Sequence, residues 1–197
     1  DGCASIVKLE LPFVGADIDH PSTLAYLFGR VEALQLREVS VAAGAIIAKA
    51  FANCSHLVSV SLPRGINIIP EQCFAGCSKL EKVLNLDSVK QIGRAAFMNC
   101  SSIEHITLAK AEVIEDAAFV SCTSLVEFVL SGSIKQIGKD ILGGCNMLSK
   151  LALAFTHNVD SVSLLGRGIS SSLTDVHVIG NILGKHAFAG CARLAKV

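Results

Sequence analysis

The chain has 197 residues, 51% of them apolar, and its 17 basic residues are balanced by 17 acidic ones to a formal net charge of zero. This is enough apolar chain for a domain with a substantial core. It is too hydrophobic for a disordered segment and too evenly charged to favour nucleic acid or an anionic membrane as partner. No apolar run reaches the roughly 18 to 20 residues needed to span a bilayer, since the stretch from Val41 to Ala48 is closed by Lys49.

In chain order, Cys3-x-x-Ile6-x-x-Leu9-x-Leu11-Pro12 sets an apolar spacing that the rest of the chain repeats. Leu11-Pro12-Phe13 then opens a long unit that takes in an insertion near Asp17 to Ser22, Tyr26, Phe28 and the strand-like Leu36-x-x-Val39-x-Val41. From Phe51 the pattern becomes regular. Cys54, Cys77, Cys100, Cys122 and Cys145 follow at intervals of 23, 23, 22 and 23, and Cys191 lies 46 beyond the last. Each of these six stands three residues after Phe51, Phe74, Phe97, Phe119, Leu142 or Phe188, and three before Leu57, Leu80, Ile103, Leu125, Leu148 or Leu194. Val60, Val83, Ile106, Phe128, Leu151 and Val197 come next, and Ile69, Ile92, Ile114, Ile137 and Leu183 precede the following large apolar residue. A second long unit begins at Leu153-Ala154-Phe155 and contains Leu173-x-x-Val176-x-Val178.

A fixed period of this length is the signature of a solenoid. The alternation in L-x-x-V-x-L predicts a short strand with Val60 and Leu62 inward and Ser61 outward, closed by Pro63. One such strand cannot bury its apolar side alone, but parallel strands stacked about 4.8 Å apart can, and eight or nine units give a rod on the order of 40 Å long. Asn53, Gly76, Asn99, Ser121, Gly144 and Gly190 precede the repeat cysteines, which predicts a tight left-handed bend there. Val83-Leu84-Asn85-Leu86 departs from the pattern and reads as a bulge with one extra residue. The chain is expected to be one solenoid over 1–197, cut in mid-repeat at both ends and so part of a longer array, with atypical long units at about 12–50 and 154–187.

The unit F-x-[NG]-C-S-x-L-x-x-V-x-L-P-x-x-I-x-x-I resembles the BspA-like, Treponema-type leucine-rich repeat of bacterial and some protist surface proteins. Phe51 to Ile69 is its best copy, followed by Phe97 to Leu108 and Phe119 to Leu130. The resemblance implies an α/β fold: a right-handed leucine-rich-repeat solenoid of short parallel strands, turns and short helical segments. It also implies adhesion or protein recognition at an extracellular or cell-surface location.

The cysteines read as an internal ladder of free thiols, because Cys behaves as a small buried apolar residue. Cys73 takes the slot that Ala50, Ala96, Ala118 and Ala187 hold elsewhere. The six histidines, His20, His56, His105, His157, His177 and His186, form no metal-binding pair, and no nucleophile elbow, phosphate loop or dinucleotide fingerprint occurs. No enzyme activity, cofactor or metal is therefore expected. The outward strand row Lys8, Glu38, Ser59, Lys82, His105, Glu127, Lys150 and Asp175 is of mixed sign. It is either a solvated face with opposite charges paired across strands or a recognition surface. Tyr26, Lys82, His105, Glu127 and Lys150 are the candidate partner-binding residues. The expected function is binding of an unidentified protein or glycan, through the concave face or inserted loops; the rivals are a structural spacer and an enzyme-associated regulator.

Overall fold

A computed structural model describes residues 5–14, 22–29, 35–155, 172–179 and 191–195. Its strands are β1 (Lys8–Leu11), β2 (Glu38–Val41), β3 (Ser59–Ser61), β4 (Ile68–Ile69), β5 (Lys82–Leu84), β6 (Gln91–Ile92), β7 (His105–Leu108), β8 (Val113–Ile114), β9 (Glu127–Ile134), β10 (Gln136–Ile137), β11 (Lys150–Phe155) and β12 (Asp175–Ile179). Among the described residues, one short α-helix, α1 (Leu24–Phe28), is capped by the Thr23 hydroxyl accepting from the Tyr26 amide. All pairings are parallel, so the chain is a parallel β-solenoid with few helices.

The repeat period sets the register. Residues one period apart lie side by side, as in Val39↔Val60↔Val83 and Ile106↔Phe128↔Leu151↔Val176. Val60 and Leu62 are buried as the alternation predicts, while Ser61 faces out. On the opposite wall β4, β6, β8 and β10 form one unbroken sheet. Between these walls a continuous core runs from Val14 to Val176.

The phenylalanine slot is the most regular part of that core. Phe51, Phe74, Phe97 and Phe119 are fully buried and stack face to face, with ring centroids 5.2, 5.2 and 5.0 Å apart. The next turn supplies Leu142, so the stack ends there and Phe128 meets Phe119 edge-on at 5.1 Å. In the same segment each turn donates backbone bonds to the following one, as Phe51 N–H to the Cys73 carbonyl (2.9 Å) and Phe74 N–H to that of Ala96 (2.8 Å).

The left-handed bend falls where the sequence places it. Asn53, Gly76, Asn99, Ser121 and Gly144 have φ of 60°, 77°, 62°, 61° and 76°. A second left-handed slot lies four residues earlier, at Lys49, Gln72, Ala95, Ala117 and Asp140 (φ 50° to 61°). Those residue types give no conformational signal; the inter-turn bonds on either side impose the geometry. Gly190 lies outside the described residues, as do Cys3, His20, His157, His186, Phe188, parts of the first long unit and most of the second.

The cysteines do more than fill space. Cys54, Cys73, Cys77, Cys100, Cys122 and Cys145 are buried and unbridged, and Cys191 is half-buried. The Sγ of Cys77, Cys100, Cys122 and Cys145 donates to the carbonyl of Phe51, Phe74, Phe97 and Phe119 of the preceding turn, at 3.0, 3.1, 3.2 and 3.2 Å. The repeat cysteine is thus a small apolar residue that also satisfies a buried backbone oxygen. Burial pushes the Cys73 and Cys100 thiols well up from their ordinary range. Thiol–thiol hydrogen bonding, then burial, does the same for Cys77 (with Cys54) and Cys122 (with Cys145).

Candidate functional site: a split in the strand face

The outward row of mixed charge is assembled as expected on both flanks. Lys8↔Glu38↔Ser59↔Lys82 are adjacent on one side, and His105↔Glu127↔Lys150↔Asp175 on the other. Cross-strand charge pairing is sparser than expected. Lys8 pairs with Glu10 of its own strand at 3.2 Å, and within the row only His105 and Glu127 come within ion-pair distance (3.4 Å) among the described residues. Side chains reaching into solvent gain little from pairing, and most stay apart. A second outward row runs from Glu10 to His177, and its middle, Ser40, Ser61, Leu84, Thr107, Val129 and Ala152, is uncharged.

Between the flanks the face is interrupted. Strands β1-β2-β3-β5 form one sheet and β7-β9-β11-β12 another, with no ladder between β5 and β7 among the described residues. Elsewhere the amides entering each strand bond the preceding turn, as Glu81 and Lys82 do to the Val58 carbonyl (2.9 and 3.2 Å) and Val126 and Glu127 to that of Glu104 (2.8 and 3.2 Å). The equivalent bonds from Glu104 and His105 to the Glu81 carbonyl are missing.

Asn85 stands where β5 ends, beside this gap. The bulge-like reading of Val83 to Leu86 is corrected by the structure: the repeat keeps its 23-residue period here, and Asn85 occupies the inward slot that Leu62 and Leu108 fill. An amide side chain is costly in that core. Asn85 instead adopts a left-handed conformation (φ 69°), and its Nδ2 donates to the Leu62 carbonyl at 2.6 Å. Leu86 then turns toward the core within a 3-10 turn, Leu86–Ser88. Strand β5 therefore ends at Leu84, the residue one period before Thr107, and does not continue to the position beside Leu108.

The result is an opening of about 600 Å³, within the usual size of a ligand site. Lys82, Glu104, His105 and Thr107 stand at its rim, with Val83, Leu86, Ile103 and Ile106 beneath. Val83 alone among the central inward residues Val39, Val60, Val83, Ile106, Phe128 and Leu151 is only half-buried, and the split opens beside it. His105 also faces Glu104 at 3.9 Å.

The structure thus gathers four of the five candidate residues on one face, Lys82 and His105 at the split and Glu127 and Lys150 on the next two strands. Tyr26, on α1, is 66% exposed and does not line the opening, while Phe28 packs against the core. The only sequence signal for the split was Asn85 in a leucine slot. No group of three or more His, Cys, Asp or Glu able to hold a metal is found among the described residues, and no helix among them is long and apolar enough to cross a membrane.

Residues 44–163 match the BspA-type leucine-rich repeat family in six copies, and the chain belongs to that family. Its fold is similar to that of a T. pallidum leucine-rich repeat protein, at 28% identity over 81% of this chain and 78% of that one (TM-score 0.65). A Bacteroides ovatus leucine-rich repeat protein is 38% identical over 60% of this chain and 31% of its own (TM-score 0.56). A leucine-rich cell surface protein of Faecalibacterium prausnitzii shares the fold at 18% identity over 96% of this chain and 74% of its own (TM-score 0.52). No curated protein matches.

Proposed function

We propose that this chain is a non-enzymatic recognition module of a cell-surface or secreted protein, binding a protein or glycan through its strand face. The observation that carries the reading is the split: a regular scaffold is broken at one place, and the break opens a site with charged rims and an apolar floor. Repeat solenoids present such faces as extended binding surfaces, with polar residues setting specificity. Membership of the BspA-type family supports the surface location. In this reading the whole chain forms one array, with its long units at about 12–50 and 154–187. Lys82, His105, Glu127 and Lys150 make the contact surface, and Tyr26 a separate exposed anchor.

Protein and glycan arrays probed with the wild-type chain and with Lys82→Glu, Glu127→Lys and Lys150→Glu test this. A bound species whose capture falls about tenfold or more in these variants supports the proposal. Blank arrays, or capture indifferent to all three changes, favour a spacer that holds other domains apart.

A further inference from the structure

The split exposes backbone as well as side chains. In a parallel ladder successive residues bond alternately to the neighbours on either side. Residues 58, 60 and 62 bond forward to the next turn, shown by Lys82 N–H to the Val58 carbonyl and Leu62 N–H to the Leu84 carbonyl. By the same alternation the amide and carbonyl of Val83 and the carbonyl of Glu81 point toward the following turn. Those of His105 and Thr107 point back toward the preceding one. With no ladder between β5 and β7, these groups face the same opening from both sides. Behind them the stack stays shut, with Phe74 and Phe97 5.2 Å apart and Ile92 paired with both Ile69 and Ile114. The split is therefore a wedge, open at the strand face and closed at the rear.

We propose that this wedge binds an extended peptide that completes the ladder, its main chain bonding Val83 on one side and His105 and Thr107 on the other. Two rows of donors and acceptors at strand spacing match a peptide backbone, and sugars do not carry that repeat. The flanking rows also specify the side chains. A ligand residue in the outward row between Lys82 and His105 meets two basic residues, with Glu127 beyond His105 and the uncharged Ser59 beyond Lys82, so an acidic residue suits that position. The next residue points inward between Val83 and Ile106, where an apolar side chain fits. The third lies outward between Leu84, which is 49% exposed, and Thr107, and is best β-branched or apolar. The ligand is thus an acidic-apolar-apolar segment in extended conformation. This inference rests on the recognition role proposed above and names the partner class and the point of contact.

The probe is acetyl-Ser-Glu-Val-Val-Ser-amide, titrated to millimolar concentration into the isotope-labelled full chain. Two controls accompany it, the same peptide with N-methylated valines and one with Lys in place of Glu. In the free protein the amides of Val83, His105 and Thr107 are expected to exchange rapidly while those of Val60 and Ile106 are protected. The probe should protect the first three, and either control peptide should bind at least about tenfold more weakly, the loss expected for one or two main-chain bonds. The variant Leu84→Ser, Asn85→Leu, Leu86→Pro transplants Ser61-Leu62-Pro63 into the split and is expected to close it, protecting His105 and Thr107 without peptide and abolishing binding. If that variant fails to fold, the N-methylated peptide still decides, because it leaves the protein untouched. Equal binding of the N-methylated peptide, equal binding to the closed variant, or no binding of the probe at all overturns strand addition. Strand addition falls alone if the probe fails while Glu127→Lys and Lys150→Glu still abolish array capture. If the arrays are blank as well, the recognition reading falls with it.

Discussion

Truncating Phe97 tests the stacked core most directly. The ring is fully buried and lies between Phe74 at 5.2 Å and Phe119 at 5.0 Å, both in stacked geometry. Phe→Ala at a buried site costs about 3 to 5 kcal/mol through lost transfer energy and an unfilled cavity. Each stacked pair adds about 0.5 to 1.5 kcal/mol beyond buried area. The neighbouring turns are held at fixed spacing by backbone bonds, such as Phe97 N–H to the Ala118 carbonyl at 2.8 Å, so the cavity cannot collapse. Phe97→Ala is therefore expected at the upper end, about 5 kcal/mol. Phe51, with one stacked partner among the described residues, should lose about 1 kcal/mol less on the same change. Phe97→Leu, which copies the natural Leu142, should cost about 1 to 2 kcal/mol. Urea unfolding followed by circular dichroism reads these as midpoint shifts, the slope being checked because repeat arrays can lose cooperativity. A loss under about 2 kcal/mol for Phe97→Ala, or none of the expected ordering, would refute the stacked column.

Among the described residues, the buried thiols should resist a water-soluble disulfide reagent until denaturant is added, and Cys191 should react before them because it is only half-buried. Folded Cys73, Cys77, Cys100 and Cys122 hold their protons above the ordinary thiol value of 9.0, so stability should be level below pH 9 and fall above it as the unfolded chain ionises. Four such groups give a slope of about 5 kcal/mol per pH unit, and pH-resolved urea titrations with no alkaline fall would contradict their burial. Hydrogen bonds from Lys135 and then Lys90 hold the Glu112 carboxyl below the usual carboxylate range; carboxyl NMR should show this, and Lys135→Ala should raise it. Lys49→Gly relieves a left-handed residue (φ 61°) and is expected to raise the melting midpoint, by up to about 1 kcal/mol in stability. Gly93→Ala should destabilise by about 1 to 3 kcal/mol, since its Cβ would stand 2.6 Å from the Glu71 nitrogen of the preceding turn.

The fold was legible because every turn must solve the same packing problem, and the Phe, Cys, Leu and Val slots state the solution repeatedly. The left-handed bend at Asn53 and its equivalents was legible too, since Asn and Gly advertise that geometry. The second bend at Lys49, Gln72, Ala95, Ala117 and Asp140 was not, because ordinary residues are forced into it by bonds to the adjacent turn. Nor does spacing disclose that a cysteine donates to a phenylalanine carbonyl, which depends on sub-ångström placement of a side chain. The row from Lys8 to Asp175 could be written from the sequence in its correct order. Its central gap could not: a single Asn in a leucine slot signals an irregularity without saying whether the chain bulges, shifts phase or stops pairing.

The thiol bridges to phenylalanine carbonyls run one way, each Cys reaching back one turn toward the N-terminus. These four thiol bonds use acceptors made earlier in the chain, whereas the backbone bonds beside them, such as Phe51 N–H to the Cys73 carbonyl, await the turn that follows. The two kinds of bond run in opposite directions along the rod, so a turn in this segment is tied both to the one translated before it and to the one translated after it.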